Sequence, residues 1–147
     1  MKQSTKILII KSAVFILILI WLSGILSSLL FPSLYPISKL FYSHVCHQNE
    51  NKIIYLYERP LLVCARCTGI YIGVLAASTF LFFISLKKLK IKYLFISALP
   101  VLTDVILVQS GITAYSKYSA FMTGFIFGSI TFLYIWDGIA ILLTERN

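Results

Sequence analysis

Apolar residues in this chain fall into four long runs, separated by short stretches that carry nearly all the charge. Ser12 to Phe31 is almost wholly apolar, and about 20 helical residues cross a bilayer core. The pattern repeats from Cys67 to Leu86, from Tyr93 to Gln109 with Pro100 inside it, and from Tyr118 to Leu143. These runs predict transmembrane helices at about 12–31, 67–86, 93–109 and 118–143. Lys2, Lys6 and Lys11 precede the first run as they would precede a signal peptide's core. The run is long for that, and no Ala-x-Ala-like site follows Trp21, so it reads as a retained helix.

The stretch between the first two helices, residues 32–66, is patterned differently. Pro32 ends the first helix and Pro36 blocks its immediate resumption. Ile37, Leu40, Phe41 and Val45 then follow helical spacing, with Ser38, Lys39 and Ser43 elsewhere. Tyr35, Phe41 and Tyr42 add aromatic rings, which predicts a short helix lying on the membrane surface. Cys46 to Lys52 is the most polar patch and reads as loop. Ile53 to Val63, interrupted by Glu58, Arg59 and Pro60, is expected to be irregular.

Small residues mark a packing face. Gly69, Gly73 and Ala77 recur every four residues in the second helix, as do Ala120, Gly124 and Gly128 in the fourth. Such spacing lets helix backbones approach closely in lipid. The second and fourth helices are therefore expected to be neighbours, running antiparallel.

Composition supports the same class. Of 147 residues, 59% are hydrophobic and only 12% charged, too few polar groups to cover a soluble domain. The expectation is an all-α membrane protein, a single integral domain over residues 1–147 with lipid as its partner. The net charge of +8 comes from lysines clustered beside apolar runs, a topology signal rather than a nucleic-acid footprint. Eight basic residues lie at the two tails and in the turn holding Lys87, Lys88, Lys90 and Lys92, against five on the other side. Both termini are accordingly expected in the cytoplasm, with loop 32–66 outside. The oligomeric state is left open.

Candidate chemistry centres on Val63 to Gly73, where Cys64 and Cys67 stand at the mouth of the second helix with Arg66 between them. Cys46 and His47 lie just upstream. Cys46, His47, Cys64 and Cys67 together resemble a Cys3His set with one Cys-x-x-Cys arm, which suits zinc. Copper(I) or iron also accepts thiolate. His44 is an alternative to His47, although it shares the apolar face of the surface helix. A redox pair is the competing reading, with a quinone-linked thiol oxidoreductase as its model; such enzymes generally use a second cysteine pair, and only Cys46 remains here. Packing cysteines are the third. Asp104 sits roughly 18 Å above Lys92 by helical rise and Gln109 about 25 Å above it. Gln109 is thus expected to reach the cysteines directly, with Asp104 a turn or two beneath and Tyr71 bridging the gap. Asp137 is expected to be merely solvated.

Cys46-His-Gln48, Cys64-Ala-Arg-Cys-Thr-Gly-Ile-Tyr-Ile-Gly73, Pro100 with Asp104 and Gln109, and Thr123-Gly124 before Gly128 resemble an uncharacterised family. It comprises small predicted bacterial and archaeal membrane proteins that share a domain of unknown function, and the likeness covers roughly Ser43 to Gly128. That family usually has glycine after the helical aspartate, where Val105 stands here. It also carries an asparagine and an arginine before the Thr-Gly, where this chain has Lys117 and Ala120. The resemblance favours His47 over His44 and implies no reaction. Three functions remain: a metal-dependent enzyme on a lipid or interfacial substrate, with Arg66, Gln109, Asp104 and Tyr71 as candidate groups; the thiol oxidoreductase; and a structural zinc protein.

Overall fold

The computed structural model describes residues 3–56, 59–84 and 89–145. Helix α1 (Gln3–Leu30) is followed by the short α2 (Tyr35–Ser43), a hairpin of β1 (Ile53–Leu56) and β2 (Arg59–Cys64), and three further helices. These are α3 (Ala65–Phe83), α4 (Lys92–Gln109) and α5 (Lys117–Glu145). Four of the five helices are long and apolar enough to cross a membrane. The molecule is an all-α membrane protein apart from its hairpin. The sequence-predicted end of the second helix at Leu86, with Lys87 and Lys88, falls outside the described residues.

The first helix begins earlier than the apolar run. Lys6 and Lys11, expected in a basic tail, lie inside α1, and the candidate span runs from Thr5 to Ser27. Lys11 is therefore roughly 9 Å into that span at helical rise. It is accommodated because its ammonium donates to the Leu81 carbonyl of α3 at 2.6 Å.

Helices α3 and α5 meet along the predicted small-residue faces. A Cβ added to Gly69 or Gly73 would collide with the backbone carbonyl of Phe121 or Phe125. One added to Gly124 or Gly128 would collide with that of Arg66 or Ile70. Backbone cannot move aside as a side-chain tip can, so only glycine permits this approach. Ser129 Oγ crosses the seam to the Gly73 carbonyl at 3.1 Å. The contact partners rise together along both chains, so α3 and α5 run parallel. The antiparallel expectation is overturned for a simple reason: two crossings separate corresponding points, and each reverses the chain.

The buried core of the thiol end forms where residues 32–66 pack against α1 and the start of α3. Ile25, Tyr42, Cys46, Ile53, Leu61, Leu62 and Val63 form one cluster, with Leu62 1% and Val63 0% exposed. The stretch expected to be irregular is an antiparallel hairpin pairing Ile53 with Cys64 and Leu56 with Arg59. Pro60 is tolerated because it sits near the start of a two-stranded edge, where a missing N–H costs little. Arg59 Nη1 donates to the Leu29 carbonyl at 2.8 Å, neutralising an orphan acceptor at the end of α1. Helix α2 forms as expected, with Pro36 in its first turn. Its Tyr42 lies over Gly24 of α1 and donates to the Trp21 carbonyl at 2.8 Å.

Candidate functional site

Three elements carry the thiols to one point. Cys46 follows α2, Cys64 ends β2 as the residue capping α3, and Cys67 lies in the first turn of α3. Their three sulfurs are all within 4.8 Å of one another. All three cysteines are free, Cys46 is buried, and the other two are half-buried. The first turn of a helix presents unsatisfied N–H groups and the positive end of its dipole, which favours thiolate over thiol.

Gln48 explains why Cys46 arrives there. Its Nε2 donates to the Lys39 carbonyl of α2 and to the Leu62 carbonyl of β2, each at 2.9 Å. Its backbone takes φ +47, an uncommon conformation for a residue with a side chain. The turn folds Cys46 back so that its Sγ accepts the Cys64 N–H at 3.2 Å. Hydrogen bonds from the Cys64 and Cys67 side chains, aided by backbone N–H groups, hold the Cys46 thiol well below its ordinary range. Gln48 was legible in the sequence only as part of a motif, and its stapling role was not.

Among the described residues, no histidine or carboxylate joins the three sulfurs. His47 is exposed beside Cys46, and His44 is exposed with Nδ1 3.1 Å from the Leu40 carbonyl. The adjacency of Cys46 and His47 accounts for this: the turn that sends one side chain inward sends its neighbour out.

Arg66 ties the thiol turn to the rest of the bundle. Its Nη2 meets Asp104 Oδ2 of α4 at 2.5 Å, and Ser119 Oγ of α5 donates to Asp104 Oδ1 at 2.7 Å. Both charged side chains are largely covered, 24% and 12% exposed, and Arg66 Nε is buried with no hydrogen-bond partner among the described residues. One residue of the cysteine turn thus links α3, α4 and α5. The α4 group that meets this turn is Asp104, because the long Arg66 side chain spans the distance. Gln109, expected to reach the cysteines, is exposed, and its side chain makes no hydrogen bond among the described residues. Tyr71, expected to bridge toward Asp104, instead faces α1, its ring 6.1 Å from that of Trp21.

Tyr115, which sequence reasoning missed, stands over this arrangement from the α4–α5 turn. Burial pushes its phenol up, and the Arg66 guanidinium opposes that shift. Lys52 lies 5.3 Å over the Tyr115 ring and Lys117 lies 5.4 Å over Tyr55, so the hairpin and the turn close on each other. No spacing signal marks Tyr115; only the fold brings it there.

A membrane protein built in this way belongs to a recognised class. Residues 46–134 match the model of the predicted membrane protein family DUF2085, and the chain belongs to that family. The chain is similar to the uncharacterized protein MJ1492 of Methanocaldococcus jannaschii, 36% identical over 98 residues. That match covers 64% of this chain and 63% of the relative, so this chain spans less than two thirds of the relative's length. No solved structure matches.

Proposed function

We propose that Cys46, Cys64 and Cys67 form a metal–thiolate centre at the outer membrane face, with zinc as its ion. The single observation that carries this reading is the mutual approach of three sulfurs within 4.8 Å. A tetrahedral ion with metal–sulfur bonds of about 2.3 Å spaces its ligands about 3.8 Å apart, so the cluster needs only a small contraction. Three protein ligands leave the fourth position to water or substrate, the arrangement of catalytic rather than structural zinc. The ion would supply Lewis acidity or an activated water. Arg66, held by Asp104, fixes the turn that presents two of the ligands. An interfacial substrate such as a lipid suits a centre at a helix mouth. The lysine asymmetry of the sequence supports an outward orientation, which a tag inserted at Asn51 tests by its accessibility in intact cells.

Metal analysis of protein purified without chelator tests the centre. About one equivalent is expected, lost in Cys46→Ser, Cys64→Ser and Cys67→Ser and retained in His47→Ala, because thiolate ligands carry the affinity. Metal-free protein whose thiols alkylate only after reduction would sink this reading. That outcome would favour the second one, thiol–disulfide exchange, for which Cys64 and Cys67 stand together as a Cys-x-x-Cys pair at the helix mouth.

A further inference from the structure

At the membrane face opposite the thiols, α1, α3 and α5 enclose a separate cavity of about 180 Å³, open on one side. That is well above the ~30 Å³ share of one water molecule. Ile7, Leu81 and Ile84 give it an apolar wall, and Lys11, Trp136 and Asp137 give it a polar one. The sequence offered no reason to join these residues, since Lys11 was expected in a tail and Asp137 in solvent.

The two charges share one cavity, yet they do not pair with each other: among the described residues the ion pair is Arg66 with Asp104. Each is instead held by backbone. Lys11 gives one of its three ammonium hydrogens to the Leu81 carbonyl, the other two have no acceptor among the described residues, and its Nζ lies 6.0 Å from the centre of the Trp136 ring. Asp137 Oδ2 accepts the Leu89 N–H at 2.9 Å, which corrects its expected solvation, and its other oxygen has no hydrogen-bond partner among the described residues. A cation and an anion held apart beside an apolar wall complement a molecule with both charges and a greasy root. Lys11 meets a phosphate, while Asp137 meets an ammonium. We propose that this cavity binds the headgroup of an aminophospholipid, a phosphate ester bearing ethanolamine. The apolar wall and the position between three membrane helices, at the end away from the thiols, favour a lipid over free phosphoethanolamine. The inference is independent of the metal reading, because it uses none of the same residues.

The test uses the full chain in detergent micelles doped with equal phosphatidylethanolamine and phosphatidylglycerol, with retained lipid read by native mass spectrometry. Wild-type protein should keep phosphatidylethanolamine over phosphatidylglycerol by about tenfold. Asp137→Asn should abolish that preference without reducing phosphatidylglycerol. Lys11→Met should lower retention of both, and Lys11→Arg should restore it. A large excess of glycerophosphoethanolamine should not displace the lipid. Equal retention of the two lipids by wild type would overturn the proposal, even if every variant failed to fold. An unchanged preference in a folded Asp137→Asn would overturn it as well. Displacement by the soluble headgroup would overturn the lipid assignment.

Discussion

Helix α3 shows two different ways of holding a membrane neighbour. Toward α5 it presents glycine, and backbone lies against backbone at Gly69, Gly73, Gly124 and Gly128. Toward α1 it presents bulk. Phe82 meets Phe15 edge-on at 5.6 Å, Tyr71 meets Trp21 at 6.1 Å, and two apolar clefts of about 350 and 220 Å³ flank the contact. Large side chains prop α1 away from α3, whereas their absence lets α5 close on it. The difference separates a rigid seam from a compliant one. The first turn of α3, with Cys64, Arg66 and Cys67, is fastened to the rigid side by the Arg66 carbonyl against Gly124 and the Arg66–Asp104 pair. Cys46 is delivered from the compliant side, through α2 and Gln48.

The contrast is broken most severely at Gly73. Gly73→Leu drives a side chain into the Phe125 carbonyl, and the overpacking costs about 3 kcal/mol or more because backbone cannot yield. The expected result is loss of the monodisperse peak in size-exclusion chromatography. Arg66→Met comes next. It leaves Asp104 covered and unpaired, and by analogy with buried pairs costs about 2–4 kcal/mol, read as a lower thermal midpoint. Adding Asp104→Leu to it should recover part of that loss, whereas a purely additive result would deny the pair its role. On the compliant side, Tyr42→Phe removes the hydrogen bond to the Trp21 carbonyl and costs about 1 kcal/mol. Its signature is faster alkylation of Cys46 with little change in midpoint, and equal effects on both would erase the distinction between the two seams. Leu102→Ala, on an exposed face of α4, should shift the midpoint by no more than about 0.5 kcal/mol equivalent.

How much of this was legible in the chain depends on the range of the signal. Hydrophobic run length is local, and it located the four spans to within a few residues except at Lys11. Apolar length alone cannot see that a lysine has found a carbonyl 70 positions away. Glycine spacing identified the α3–α5 partnership, while the direction required counting crossings rather than reading residues. The hairpin was hidden because its strands are only four and six residues long, too short to show alternation, and Pro60 lies inside the second. At the site, the convergence of three cysteines was readable from motif and position. Arg66 with Asp104 was not, since helical rise measures the depth of a backbone and ignores the reach of a long side chain. Tyr115 and Asp137 depend wholly on tertiary placement.

The parallel α3–α5 seam also sets a clock. Gly73 meets Phe125, a residue synthesised about 50 positions later, and a ribosome adding about 5–20 residues per second needs roughly 3–10 s to reach it. During that interval the glycine face of α3 has no partner from its own chain, and Arg66 in its first turn has neither Asp104 nor Ser119. The hairpin and all three thiols, by contrast, are already made. In the nascent protein the sulfur cluster therefore precedes the scaffold that fixes it, and α5, which follows α1, α3 and α4 into the membrane, locks a site whose ligands were all delivered before it.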